Sequence, residues 1–290
     1  MAYKIIILGS EGQLGTTISK TLSYNFEIIS TSKSGNKFKN IHKLDVTDLS
    51  QMETFMSQYD PDIIINTAAI TNVDYCENSK NTSRHVNVNC LSNIIKTVSL
   101  DTKIIHFSSD FVYNGLEISN SEETLPNPIN YYGKSKLESE NMLIGSNKPY
   151  LILRISTLFS DIGDNFFNWV YNSLNNNVKI DVVSDQVVSP SYAYFLSNSL
   201  IDLILLDATG LYNYGSNDSI SKYEFALRIA DEFSLNNKLI HQIKTKNVSL
   251  FDAERPLNCS LDCTKIKRLF DINLPYLNES LKHLKSKIYE

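Results

Sequence analysis

The first fifteen residues constrain the fold most. An aliphatic run, Lys4-Ile5-Ile6-Ile7-Leu8, passes directly into Gly9-Ser10-Glu11-Gly12-Gln13-Leu14-Gly15, and Leu14, Ile18 and Leu22 then recur at helical spacing. A buried strand that turns through glycines into a helix is the opening unit of a βαβ series. The helix N-terminus leaves free N–H groups and the positive end of its dipole at the turn, and the glycines let a pyrophosphate approach the backbone. Gly9, Gly12, Gln13, Leu14 and Gly15 are therefore candidate dinucleotide-binding residues. The spacing is GxxGxxG rather than GxGxxG. Glycine also serves simply to turn a chain; the position at the first strand favours binding.

Further aliphatic runs follow at Glu27–Ser30, Asp62–Asn66, Lys103–Ser108 and Tyr150–Arg154, with helical patterns between them, among them Val86 to Leu100. Continuous apolar runs bounded by loops suit parallel strands covered on both faces. The expected class is α/β: a Rossmann-type, doubly wound parallel sheet with right-handed crossovers and a smaller C-terminal substrate-binding lobe. After Arg154 the rhythm loosens. Asn165–Leu174 and Ala193–Leu206 read as helices around a polar stretch with Asp185 and Pro190. Gly210–Tyr214 reads as a returning strand, and Lys222–Phe233 and Leu277–Ile288 as later helices. The expected division is a dinucleotide-binding domain at 1–155, joined by 190–213, and a lobe made of 156–189 and 214–290.

Composition narrows the partners. With 290 residues, 42% of them hydrophobic, the chain can bury a large core. A net charge of −5 with both signs interspersed argues against a nucleic-acid partner. The longest apolar candidate, Leu200 to Leu206, is too short for a bilayer and contains Asp202. Met1 to Leu8 reads as a strand rather than a secretion signal, so a cytoplasmic location is expected. The four cysteines read as structural thiols, since nothing completes a zinc set around Cys259 and Cys263.

The second strand ends as Ser30-Thr31-Ser32-Lys33. An acid there would hold the ribose 2′-hydroxyl of NAD, whereas a base suits the 2′-phosphate of NADP. The segment has no acid, so Lys33 with its neighbouring hydroxyls favours NADP(H), with NAD(H) left open; Lys33 also reads as a solvated loop lysine. Leu44-Asp45-Val46 is expected to close another strand, with Asp45 and Val46 beside the adenine. Ala68 and Ala69, after the fourth strand, are small enough for a cofactor to cross the sheet edge.

Tyr132-Gly133-Lys134-Ser135-Lys136 carries the chemistry. On a helix Tyr132 and Lys136 share a face at i and i+4. An ammonium beside a phenol lowers its pKa from about 10, which makes a proton donor or acceptor for a carbonyl–alcohol pair. The same spacing fits an amphipathic helix start with a solvent lysine. Ser109, at the end of the fifth strand where such sheets bind ligands, favours catalysis. His106, inside an apolar strand, reads as a packed core residue.

With these residues in order, the chain resembles the extended short-chain dehydrogenase/reductase superfamily, and within it the dTDP-4-dehydrorhamnose reductases. The likeness rests on Gly12-Gln13-Leu14-Gly15, Asn66 through Asp74, Ser109 through Gly115, Tyr132 through Glu138, Ser184-Asp185-Gln186 with Pro190, and Arg255-Pro256 with Leu261-Asp262. The resemblance implies hydride transfer from NAD(P)H to the 4-keto carbon of a nucleotide-linked 6-deoxyhexose, made for a surface polysaccharide. It casts Tyr132 as proton donor, Ser109 as holder of the oxygen, and Lys136 as binder of the nicotinamide ribose. Thr71, Val73 and Asp110 would line the sugar pocket, with Arg255 near the nucleotide. It leaves a homodimer open.

Three departures stand out. Thr157 falls where family members often place a tryptophan against thymine. Ser109 stands where threonine is usual. Thr17 and Tyr194 stand where some members use glutamates for magnesium, so no metal is expected. Two other readings share the scaffold: a sugar-nucleotide 4-epimerase or epimerase-reductase, and a non-catalytic subunit like that of methionine adenosyltransferase. The strand end without an acid weighs against the first, and the complete Ser109, Tyr132 and Lys136 set against the second.

Overall fold

The structure, a computed structural model, describes residues 3–290. The aliphatic runs become β1 (Lys4–Leu8), β2 (Glu27–Ser32), β4 (Ile63–Asn66), β5 (Lys103–Ser109) and β6 (Tyr150–Ile155), with a short β3 (His42–Lys43) between the second and fourth. Beyond β6 the chain leaves the sheet through β7 (Leu158–Phe159), β8 (Ile180–Val183), β9 (Val187–Val188) and β10 (Ser191–Tyr192), then returns as β11 (Gly210–Tyr214). The seven-stranded sheet is ordered β11-β6-β5-β4-β1-β2-β3, and every pairing in it is parallel. Strand order reverses between β1 and β4, which opens a crevice at the carboxyl ends of those strands.

Pleating sorts the side chains. Ile5, Ile7, Ile65, Ile105, Leu151 and Leu153 face α1 (Gln13–Leu22) and a later helix, Ala193–Leu205, whose Leu196, Leu200 and Leu203 join the same core. Their neighbours Ile6, Leu8, Ile64, Ile104 and Ile152 face the other way. There they meet Met52 and Met56 of α2 (Leu49–Tyr59), and Leu91 and Ile94 on a helix that follows two short ones. Those three are α3 (Val73–Asn78), α4 (Lys80–Arg84) and α5 (Cys90–Thr97); a π-helical turn at His85–Asn89 joins the last two. Next come α6 (Tyr131–Ile144), α7 (Phe166–Asn175), α8 (Ala193–Leu205), α9 (Lys222–Glu232), α10 (Thr264–Phe270) and α11 (Leu277–Tyr289).

The C-terminal lobe has an aromatic core of its own, in which Phe159, Phe167, Tyr192, Phe225 and Phe233 pack with Leu277, Leu281 and Leu284 of α11. The Phe159 and Tyr192 rings stack at 5.2 Å.

Two expectations differ from the structure. Leu44-Asp45-Val46 lies beyond β3, not in it: Leu44 and Val46 pack into the core, and Asp45 accepts from the Thr47 amide at 3.0 Å to form a turn. The segment 214–290 is also not one lobe. Leu261, Cys263, Ile266, Ile272 and Leu274 belong to the core of the sheet. There α10 covers the β11 edge, with Phe270 edge-on to Tyr212 at 5.2 Å.

Candidate active site

The glycine turn is fixed by sterics. Gly9 has φ +81°, and a Cβ on Gly15 would lie 2.4 Å from the Gly9 carbonyl and 2.7 Å from Thr67 Oγ1. Such contacts admit only glycine at Gly15, so α1 sits tight against β4. Gly12 caps α1 without a side-chain hydrogen bond, and the first turn carries no acid. These N–H groups are therefore free to receive an anion.

A cleft of ≈ 380 Å³ opens over this turn, within the size range of small-molecule sites. Gly12, Gln13, Leu14 and Gly15 line one end, and Ala68, Ala69, Thr71 and Val73 one wall. Ser109, Asp110, Tyr132 and Lys136 meet them there. These groups come from separate segments, and the topology brings them to one sheet edge.

Tyr132 is placed by its neighbours. Asn130 Oδ1 accepts from the Gly133 amide at 2.9 Å and so caps α6, while Asn130 Nδ2 donates to the Glu254 carbonyl at 2.9 Å. A Cβ on Gly133 would lie 2.1 Å from the Phe111 carbonyl. The glycine inside the Tyr-Gly-Lys-Ser-Lys motif thus lets α6 approach the segment just past Ser109. The Ser109 hydroxyl donates to Asp110 Oδ1 at 3.0 Å and accepts from the Phe111 amide at 3.2 Å. Asp110 Oδ2 has no partner within the protein.

Burial dominates the electrostatics. It pushes the Tyr132 phenol well above its ordinary value, against the pull of Ser109. It brings Lys136 down to about 8 and lifts Asp110 to about 6, the latter opposed by the nearby Ser156 and Ser109 hydroxyls. The expected lowering of the Tyr132 phenol by Lys136 is not seen: burial, with Asp110 and Cys76 adding to it, raises the phenol, and only the Ser109 hydroxyl opposes them. A protonated phenol is the form that a proton donor needs.

This gives a pH prediction. Lys136 is a cation below about pH 8 and neutral above it, so coenzyme affinity of the free protein is expected to fall as pH rises through about 8. The same group acts oppositely on stability. Its folded value lies below that of an unfolded lysine, so the cost of burying its charge is relieved as pH rises beyond about 8. Coenzyme titrations and denaturant unfolding across pH check both signs; affinity flat through pH 8 would remove Lys136 from the coenzyme site.

A buried ion pair braces α6. Arg154 Nε and Nη2 donate to Glu140 Oε1 and Oε2 at 2.9 and 2.6 Å, and Nη1 donates to Tyr113 Oη at 2.7 Å. Glu140 lies one turn beyond Lys136, so the pair ties the helix that carries Tyr132 and Lys136 to β6.

Other expected residues fall outside the cleft. Arg255 donates to Asp74 Oδ2 at 2.6 Å and to the Ala253 carbonyl, and lies over the Phe251 ring, so it clamps the 250s loop to α3. Lys33 Nζ pairs with Asp45 Oδ2 at 2.9 Å. Thr47 and Lys33 together outweigh burial and bring the Asp45 carboxyl down to about 2. Val46 is buried, and its carbonyl accepts from Asn93 Nδ2. Gly9 shapes the turn from behind. His106 is buried and its ring bonds Asn66 at 3.2 Å.

Two residues escaped the sequence reading. Lys222, at the start of α9, lines the cleft and donates to Gln186 Oε1 at 2.8 Å; no motif marks it. Glu11, within the glycine turn, reaches across to β2, where its Oε2 accepts from Ser32 Oγ at 2.5 Å and also from Ser34 Oγ. The segment Ser30–Lys33 has no acid of its own, as the sequence reads, but Glu11 reaches it from the glycine turn. Thr157 lines the cleft where the resemblance suggested a tryptophan. Among the described residues, no group of three or more His, Cys, Asp or Glu side chains is placed to hold a metal.

The order of these groups along the chain matches one known family model throughout: residues 3–289 fit the RmlD substrate binding domain. The chain belongs to that family. A relative in this family, dTDP-4-dehydrorhamnose reductase of Aggregatibacter actinomycetemcomitans, is 30% identical over 98% of each chain. The crystal structure of dTDP-4-dehydrorhamnose reductase from Bacillus anthracis, in complex with NADP, superposes with a TM-score of 0.91 at 27% identity, covering 99% of this chain and 100% of the other. The bovine (Bos taurus) methionine adenosyltransferase 2 subunit beta is 26% identical over 92% of this chain and 82% of its own length. The RmlD family fold is thus the α/β sheet expected from the sequence. No helix among the described residues is long and apolar enough to cross a membrane.

Proposed function

We propose that the protein is an NAD(P)H-dependent reductase of the 4-keto group of a nucleotide-linked 6-deoxyhexose, as its relative's name suggests. It would supply a deoxysugar nucleotide for a surface polysaccharide. The observation that carries this is the joining of Ser109, Tyr132 and Lys136 to the glycine turn in one cleft. The cradle fits a dinucleotide: the Gly9 and Gly15 positions have no room for a side chain, and the start of α1 is uncapped.

When bound, the nicotinamide supplies a hydride. The chain's own residues handle the oxygen. The Ser109 hydroxyl orients the substrate carbonyl, and Tyr132, kept protonated by burial, delivers its proton as negative charge develops there. Lys136 holds the ribose as a cation. Asp110 Oδ2, buried and unpartnered within the protein, is available to accept from a sugar hydroxyl. Thr157, which lines the cleft, offers no ring to stack on thymine, and this weighs against dTDP as the particular carrier.

Likeness to the methionine adenosyltransferase subunit favours a second reading, a regulatory protein without turnover. Incubating the protein with a panel of 4-keto nucleotide sugars and reduced coenzyme separates the two. Coenzyme oxidation that depends on one sugar is expected. Coenzyme binding with no turnover on any of them, together with recovery of a synthetase partner, would support the regulatory reading.

A further inference from the structure

We propose that Glu11 makes this site select NADH over NADPH; the inference rests on the reading that a dinucleotide binds across the glycine turn. In sheets of this topology the residue at the end of β2 meets the 2′ oxygen of the adenosine ribose. Here β2 ends at Ser32, whose surroundings offer two hydroxyls and a lysine. The structure shows what those groups already do.

The Gly35 amide donates to Ser32 Oγ at 2.9 Å, which leaves the Ser32 hydroxyl proton to point elsewhere. It points at Glu11 Oε2, and Ser34 Oγ donates to the same oxygen. These hydrogen bonds hold the Glu11 carboxyl below the usual carboxylate range, so it is a carboxylate at neutral pH. The two hydroxyls that would otherwise greet a phosphate are therefore spent on an anion.

Lys33, the base that favoured NADP(H), pairs with Asp45, which is also held ionised by Thr47. Lys39 lies close enough to Glu11 to favour its charge but makes no ion pair with it. A 2′-phosphate brings nearly two more negative charges against a fixed carboxylate. A 2′-hydroxyl brings a donor. A carboxylate has about four acceptor sites, so Glu11 can take that proton while keeping both serines. The acid that dinucleotide sites of this topology draw from β2 itself comes here from the preceding turn.

Equilibrium titrations of NADH and NADPH against the full chain and its Glu11→Ala, Glu11→Gln and Lys33→Ala variants test this without any sugar substrate. The wild type is expected to favour NADH by about tenfold or more, equivalent to ~1.4 kcal/mol per factor of ten. Glu11→Ala should bring the two coenzymes near parity, chiefly by tightening NADPH, and Glu11→Gln should move the ratio the same way. A wild type that binds NADPH as tightly as NADH, or a ratio unmoved in Glu11→Ala, would overturn the proposal. A loss of NADPH binding confined to Lys33→Ala would restore the lysine as the determinant. If neither coenzyme binds the wild type, the reductase reading itself falls.

Discussion

Tyr132→Phe is expected to lower turnover by about 100- to 10,000-fold while leaving coenzyme affinity near that of the parent. Hydride arrival puts negative charge on the carbonyl oxygen, so a proton donor matters most in the transition state. Phenylalanine keeps the ring that lies edge-on to Phe111 at 6.0 Å, so the fold and the cradle are preserved. Lys136→Met should behave differently, lowering turnover and weakening the coenzyme together. Single-turnover hydride transfer and coenzyme fluorescence titrations separate the two. A Tyr132→Phe protein that reduces its substrate at the parent rate would remove the tyrosine from the chemistry.

Breaking the pair between α6 and β6 is expected to be the most destabilising change at a charged residue. Arg154 and Glu140 are 4% and 1% exposed, and both carboxylate oxygens are engaged. Removing one partner strands the other charge in the core, at a cost of about 3–5 kcal/mol. Glu140→Ala should therefore unfold at markedly lower denaturant. It should also depress the Lys136 ammonium further, because Glu140 is one of the groups that support its charge. Replacing both by Leu and Met should be much milder than either single loss, since no unpaired charge remains. Equal loss in the double and single variants would show that the pair itself, and not a stranded charge, holds α6 in place.

Legibility in the sequence followed the physics of each element. β1, β4, β5 and β6 were readable because both their faces are covered, so their residues run continuously apolar. The two-residue β3 had no such run, and Leu44 and Val46, buried beneath α2, imitated one. The glycine turn and the Tyr132–Lys136 helix were readable because sterics and helical spacing leave marks in local sequence. The pairing of Arg255 with Asp74 was not legible because the two lie far apart in sequence, and only the fold reveals that they clamp a loop. Glu11 was legible as a residue of the glycine turn but not as a partner of Ser32, since the contact joins residues 21 apart, across α1 and along β2. Lys222 and the packing of Leu261 to Leu274 against the sheet depend on the lobe's return path, which no periodicity encodes.

On the proposed function, the cleft carries a hydride from a nicotinamide to the 4-keto carbon of a nucleotide sugar. Reduced coenzyme labelled with deuterium at the transferable nicotinamide position, incubated with the protein and a 4-keto-6-deoxy nucleotide sugar, tests it directly. Mass and magnetic resonance spectra of the product should show one deuterium, on the sugar C4, for each coenzyme oxidised. Interconversion of a 4-hydroxy nucleotide sugar and its C4 epimer, with no net coenzyme consumed, would contradict the account and point to an epimerase. Labelled coenzyme recovered unchanged alongside intact keto sugar, across the whole panel of carriers, would contradict it in favour of a non-catalytic protein.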